Sequence, residues 1–309
     1  MLEGLVLRSI SGFYRVRTDE GVLECRMRGR LKKERAKSEL AVVGDRVKVE
    51  RQSATEGVIA EVEPRRTRFS RREPGPRGQY FEDVLVANLD RLLIAASASV
   101  PPLRPRMVDR FLVIAEWNDV EPIVVITKLD ACEDREALER TVEMWRRVGY
   151  RVLLTSATTG EGVGEVRALI EEGISAIVGP SGSGKSSLLN AIAPSLAIAV
   201  GDVSDAMKRG KHTTRTAELH PVPSAREGAV GWVADTPGIR ELASFHIPER
   251  ELGPCFPELR PYLRECQFAD CLHDGTPGCA VRPAVERGEI APERVDSYLR
   301  QLRGEDASR

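Results

Sequence analysis

Gly179-Pro180-Ser181-Gly182-Ser183-Gly184-Lys185-Ser186 lies between the apolar segment ISAIV and the helically spaced SLLNAIA. Glycines at this spacing let backbone N–H groups curl around phosphate oxygens, and a helix N-terminus adds its own partial positive charge. Lys185 supplies a point charge at the β- and γ-phosphates, and Ser186 a hydroxyl for Mg²⁺; Ser187 completes the set. The pattern fits a loop that holds a nucleoside triphosphate. By itself it does not separate ATP from GTP.

Thr127-Lys128-Leu129-Asp130 follows the apolar run PIVVI. There the Asp130 carboxylate can accept both N1–H and N2–H₂ of guanine, two donors that adenine does not present in that arrangement. The Lys128 stem can lie over the base plane. Ser156-Ala157, after YRVLLT, offers a backbone N–H to guanine O6. Asp235-Thr236-Pro237-Gly238 follows VGWVA, where Asp235 can hold Mg²⁺ through water and the Gly238 N–H can meet the γ-phosphate. Between the two phosphate motifs stands Gly210-Lys211-His212-Thr213-Thr214, and either Thr213 or Thr214 can complete the Mg²⁺ shell. The set implies a Mg²⁺-dependent site for GTP and its product GDP.

Farther on, Cys266, Cys271, His273 and Cys279 fall in one short segment turned by Gly275, Pro277 and Gly278. Three thiolates and an imidazole suit Zn²⁺ in a closed tetrahedral site, structural because no position remains for a substrate. Cys25, Cys132 and Cys255 show no partner spacing and are read as packing residues. No signature of secretion accompanies the six cysteines, which are expected to be reduced.

These motifs need elements to hold them. Residues 2–62 alternate in short segments (LVLRSI, FYRVRT, VLECRMRG, DRVKVE, GVIAEVE), the pattern of a five-stranded oligonucleotide-binding barrel. Residues 1–80 carry 19 Lys/Arg against 12 Asp/Glu although the whole chain has a net charge of −1, so this end is suited to a polyanion. Phe13 and Tyr14 are its stacking candidates. Arg65 to Arg77 holds six arginines and is read as a linker. Apolar strands then alternate with helical segments as far as VGWVADT, the βαβ pattern of a parallel sheet. The expected organisation is a barrel over 1–64, a basic linker over 65–80, an α/β nucleotide-binding domain over 81–245 and a helical zinc-binding domain over 246–309. No apolar run approaches the ~20 residues that span a membrane. A cytoplasmic protein is expected, and nothing suggests an obligate dimer.

The order is unusual, because the guanine-reading motifs precede the phosphate loop. A circular permutation accounts for it, since joining old termini and cutting elsewhere leaves strand positions intact. With this order, the basic barrel before it and the Cys/His cluster behind it, the chain resembles the ribosome-small-subunit-dependent GTPase A (RsgA, YjeQ) family over nearly its whole length. The resemblance rests on TKLD, SA, GPSGSGKSS, GKHTT, DTPG and C-x4-C-x-H-x5-C. It implies a cytoplasmic factor for late maturation of the 30S ribosomal subunit, contacting 16S rRNA through barrel and zinc domain. Turnover would be slow alone and stimulated by the subunit. The alternative is a nucleotide-gated RNA-binding switch with incidental hydrolysis.

Two positions depart from common GTPase patterns. Thr127 replaces an asparagine that ties base pocket to phosphate loop, which puts that tie in question. Ile239, directly after the Asp-Thr-Pro-Gly turn, has no polar atom with which to orient water. His212 is the catalytic candidate in its stead, together with Lys185.

Overall fold

Alternation of side chains builds the first unit. In β2 (Phe13–Thr18), Tyr14, Val16 and Thr18 point inward while Phe13, Arg15 and Arg17 point out. The same period in β1 (Leu2–Ile10), β3 (Gly21–Met27), β4 (Arg46–Arg51) and β5 (Glu56–Val62) buries Val6, Leu23, Cys25, Val47, Val49 and Ile59 in one cluster. The strands close in the order β1–β2–β3–β5–β4–β1, with β3 and β5 parallel. Mixed α/β architecture follows: the computed structural model describes residues 1–29, 40–74, 80–194, 217–224, 226, 228–235 and 247–305.

The stretch read as a linker is corrected in part. Arg68–Pro74 forms β6 and pairs antiparallel with β7 (Tyr80–Ala87). Its arginines obscure alternate residues that are buried, Thr67 and Phe69, with Ser70 beside them. Ser70 N–H donates to Asn118 at 2.7 Å, and Thr67 donates to the Leu89 carbonyl at 2.7 Å. The Arg65 side chain is largely enclosed, its Nε 2.8 Å from the fully buried Asp45 carboxylate of the barrel. This arginine run therefore fastens barrel to sheet.

Five strands, β8 (Arg91–Ser97), β9 (Glu121–Thr127), β10 (Arg151–Leu154), β11 (Ile174–Val178) and β13 (Val230–Asp235), lie parallel in the order β10–β9–β8–β11–β13. Their near-continuous apolar runs reflect burial on both faces. On one face α1 (Pro105–Trp117) and α2 (Arg135–Val148) supply Phe111, Leu112, Val142 and Trp145 to the larger core. On the other, α3 (Val163–Ile170) and α4 (Lys185–Ile192) bury Val166, Ile170, Leu188 and Ile192. An unforeseen strand, β12 (Glu218–Pro223), runs antiparallel beside β13. Its prolines at 221 and 223 cannot donate to a neighbour and suit an edge. Among the described residues it pairs with β1 at Glu218, opposite Arg8, which joins barrel and α/β sheet into eleven strands.

Residues 247–305 contain no strand. After the single turn α5 (Glu249–Leu252), 3-10 turns lead to the cysteine segment, then α6 (Val281–Glu286) and α7 (Pro292–Leu302). Phe256, Leu259, Ile290 and Tyr298 form their core, joined by Val113 from α1. Arg294 of α7, with no exposed surface, ion-pairs with Asp109 of α1 and with Glu258 at 2.5 Å. Asp109 also accepts from Trp145 Nε1 of α2 at 2.8 Å. A buried charge so thoroughly paired docks this unit on α1 and α2.

Candidate nucleotide-binding site

The motifs meet at one edge. Thr127 ends β9, Ser156 follows β10 by two residues, Gly179 follows β11 directly, and Asp235 ends β13. All four strands are parallel, so all four motifs stand at their carboxyl ends, where open α/β sheets bind ligands.

Backbone geometry shapes the phosphate loop. Gly179 has φ +139°, and a Cβ there would sit 2.1 Å from the Ala95 carbonyl of β8. Gly182 and Gly184 are also left-handed, at φ +78° and +82°. Pro180, Ser181 and Gly182 form the turn, closed by Ser183 N–H to the Pro180 carbonyl at 3.2 Å. Lys185 opens α4, with Ser186 and Ser187 behind it. Its ammonium donates to the carbonyls of Gly179 and Pro180 at 2.9 and 2.7 Å, inside the cradle it is expected to serve.

The base-reading segment is locked to that loop. Thr127 is buried, and its hydroxyl donates to the Ser183 carbonyl at 2.6 Å. The tie that the Asn-to-Thr difference put in question is thus made by a shorter side chain. Lys128 is left-handed at φ +57°; its Nζ donates to the Val100 carbonyl at 2.5 Å, and its Cε lies 3.8 Å from where a Cβ on Gly184 would stand. Sequence reasoning missed the Val100 loop, because a backbone carbonyl carries no residue-type signal.

Asp130 accepts the Ser156 hydroxyl at 2.5 Å. That bond holds its pKa below the usual carboxylate value, against a smaller opposing effect of burial. A second role for Ser156 emerges here, since only its backbone was expected to act. The Ser156 N–H is committed to the Glu161 carbonyl at 2.9 Å, whereas the Ala157 N–H has no acceptor among the described residues. His212, Thr213, Thr214 and Gly238 lie outside the described residues.

Cys266, Cys271, His273 and Cys279 do come together, with ligand atoms all within 4.8 Å of one another. His273 Nδ1 is 3.4 Å from the Cys266 sulfur and 3.6 Å from that of Cys279. Tetrahedral bonds of ~2.3 Å to sulfur and ~2.0–2.1 Å to nitrogen place such atoms ~3.6 Å apart, so the group fits a metal ion. N–H groups of His273 and Ala280 point at the Cys271 and Cys266 sulfurs, both at 3.4 Å, as outer-shell support. With protein neighbours alone, burial pushes the Cys266 thiol up to about 11, a cost that a divalent cation removes by binding the thiolate. Cys25 and Cys255 are buried and unbridged.

On the barrel, one stacking candidate is corrected. Tyr14 is 4% exposed because alternation turns it inward, whereas Phe13 is 50% exposed with the Arg26 guanidinium 4.7 Å above its ring.

Comparison with known proteins agrees with this geometry. Residues 62–245 match the RsgA GTPase family and residues 3–59 the RsgA N-terminal domain. The small ribosomal subunit biogenesis GTPase RsgA of Gemmatimonas aurantiaca is 44% identical over 96% of this chain and 95% of its own length. Its counterpart in Moorella thermoacetica is 40% identical over 96% and 95%. The crystal structure of YjeQ from Thermotoga maritima superposes with a TM-score of 0.77 at 31% identity, covering 100% of this chain and 99% of that one. That of YloQ, described as a circularly permuted GTPase, gives 0.74 at 32% identity over 98% and 94%. Shared along its whole length, the arrangement of base reader, phosphate cradle, barrel and Cys3His cluster makes the chain a member of the RsgA family of circularly permuted GTP hydrolases.

Proposed function

We propose that the chain serves late maturation of the small ribosomal subunit, binding the 30S particle and its 16S rRNA and hydrolysing GTP to GDP and phosphate there. The bond from Thr127 to Ser183 carries the reading: it makes one pocket of a base reader and a phosphate cradle 56 positions apart. Asp130 accepts the two guanine donors and Ala157 N–H donates to O6. Lys185 leaves the loop carbonyls for the β- and γ-phosphates. Ser186, Asp235 and one of Thr213 and Thr214 hold Mg²⁺. Water attacks the γ-phosphorus, the bond to the bridging oxygen breaks, and GDP leaves; His212 orients that water.

Zn²⁺ is the ion proposed for Cys266, Cys271, His273 and Cys279, where it supplies folding energy to the C-terminal unit. The outer barrel face of Phe13, Arg15, Arg17 and Arg26 is proposed to meet rRNA through stacking and phosphate contacts. No described helix is long and apolar enough to cross a membrane, and a cytoplasmic monomer is proposed. Multiple-turnover GTP hydrolysis with and without 30S subunits tests the reading. Stimulation by ~10³-fold or more, the scale of a supplied catalytic group, supports it. GTP-dependent binding to subunits without turnover establishes the switch alternative instead.

A further inference from the structure

Arg8, Glu218 and Asp235 stand side by side on three adjacent strands: Arg8 of β1 is the Cα partner of Glu218 of β12, and Glu218 that of Asp235 of β13. Partners across a ladder share a face, and Val222 and Val233, in step with Glu218 and Asp235, pack into the core of α3 and α4, so these two carboxylates leave the sheet on that side, where the Arg8 side chain meets Glu218. The Arg8 Nε is closed off from solvent and has no hydrogen-bond acceptor among the described residues, and the Glu218 carboxylate lies 3.6 Å from it. Glu218 is four residues beyond Thr214, one of the two Mg²⁺ candidates.

The strand that carries Arg8 belongs to both units. Val6 is buried in the barrel core, whereas Leu7, the extra residue of a bulge between β1 and β2, packs into the α/β core. Since β1 is antiparallel to β12 and β12 to β13, β1 runs in the direction of β13. Its end, and the hairpin tip with the exposed Phe13 under Arg26, therefore emerge at the edge that carries the nucleotide motifs. From Arg8 to Ser11 the chain advances ~10 Å. A load placed on the tip reaches Glu218 through one continuous strand.

We propose that Arg8 is a positioning residue for GTP hydrolysis, through which RNA bound at the β1–β2 hairpin tip sets Glu218 and, beside it, Asp235. The inference rests on the proposed function and adds to it the route by which the ribosomal subunit acts on the site. The β1 strand is a lever with one arm in the barrel core and one in the sheet, and the Arg8–Glu218 contact is its point of application. Because the pair is partly exposed, its contribution to folding is small. Its loss is thus expected to spare unstimulated chemistry.

The test compares the full chain with Arg8→Met, Glu218→Gln and the exchange Arg8→Glu/Glu218→Arg, measuring turnover against 30S concentration. Both single variants are expected to keep unstimulated turnover and GTP affinity within about twofold. Their maximal stimulation falls by about tenfold at an unchanged half-saturating subunit concentration, which is ~1.4 kcal/mol of lost coupling. The exchange restores at least half of it. Stimulation equal to that of the unmodified chain overturns the proposal, as does an exchange variant no better than the singles. A rise in half-saturating concentration with full maximal stimulation overturns it too, since Arg8 would then be a docking residue. No stimulation of the unmodified chain removes the proposed function itself, and the relay with it.

Discussion

Replacing Thr127 by valine keeps shape and volume and removes one hydroxyl. The Ser183 carbonyl that the hydroxyl meets at 2.6 Å then loses its donor in a buried setting. Losing such a bond costs ~1 kcal/mol net, and up to ~3 kcal/mol where the remaining acceptor stays dry. The phosphate loop has other anchors, among them Gly179 against Ala95, so a cost near ~1–2 kcal/mol is expected. Because the bond fixes the cradle relative to the base reader, most of this appears in binding, as GTP and GDP affinity lower by about 5- to 30-fold. Calorimetric titration with GDP measures it, and thermal denaturation without nucleotide measures what falls on folding. Thr127→Ser, which keeps the donor, should stay within about threefold of the unmodified chain. Affinity of the valine variant within twofold of the unmodified chain would mean that something other than this hydroxyl holds the two halves of the pocket together.

Asp130→Asn should favour xanthine over guanine nucleotides, as the side-chain amide offers a donor where a carboxylate accepted; competition binding reads the reversal. Because the Ser156 hydroxyl lowers the Asp130 pKa from 3.8, the ionised form persists as pH falls. GTP affinity should stay level from pH 7 to ~5, and Ser156→Ala should move its loss to higher pH. Arg294→Met leaves Asp109 and Glu258 buried without their cation, and urea denaturation should show a loss of ~3–5 kcal/mol. Chelation of bound metal, or Cys271→Ser, should lower the melting temperature of the C-terminal unit, seen as protease sensitivity across residues 247–305, while nucleotide binding persists.

Residues reveal elements best where neighbours in sequence also decide the structure. Strands β8, β9 and β11 are apolar runs buried on both faces, and their motifs follow as carboxyl-end loops; the barrel strands show the alternation of a one-sided core. Pairing between distant segments leaves no such mark. The hairpin of β6 and β7 was hidden by arginines whose intervening residues Thr67 and Phe69 are buried. Strand β12 carries two prolines that read as a loop, although an edge position tolerates them. Parity decided the aromatic pair, since Tyr14 and Phe13 are adjacent and only one can face solvent. In the site, Asp130 was identifiable from its chemistry, but its hydroxyl partner Ser156 and the carbonyls of Ser183 and Val100 depend on how the chain returns to itself.

A single pocket is expected to grip triphosphate and read guanine, although its parts occur in permuted order. Titration of the full chain with GTP and with ATP, each in Mg²⁺, tests it most directly. GTP should bind more tightly than ATP by ~100-fold or more, because the Asp130 carboxylate, placed to accept two donors, meets no matching pair on adenine. Equal affinity for the two nucleotides, or binding of neither, would contradict it.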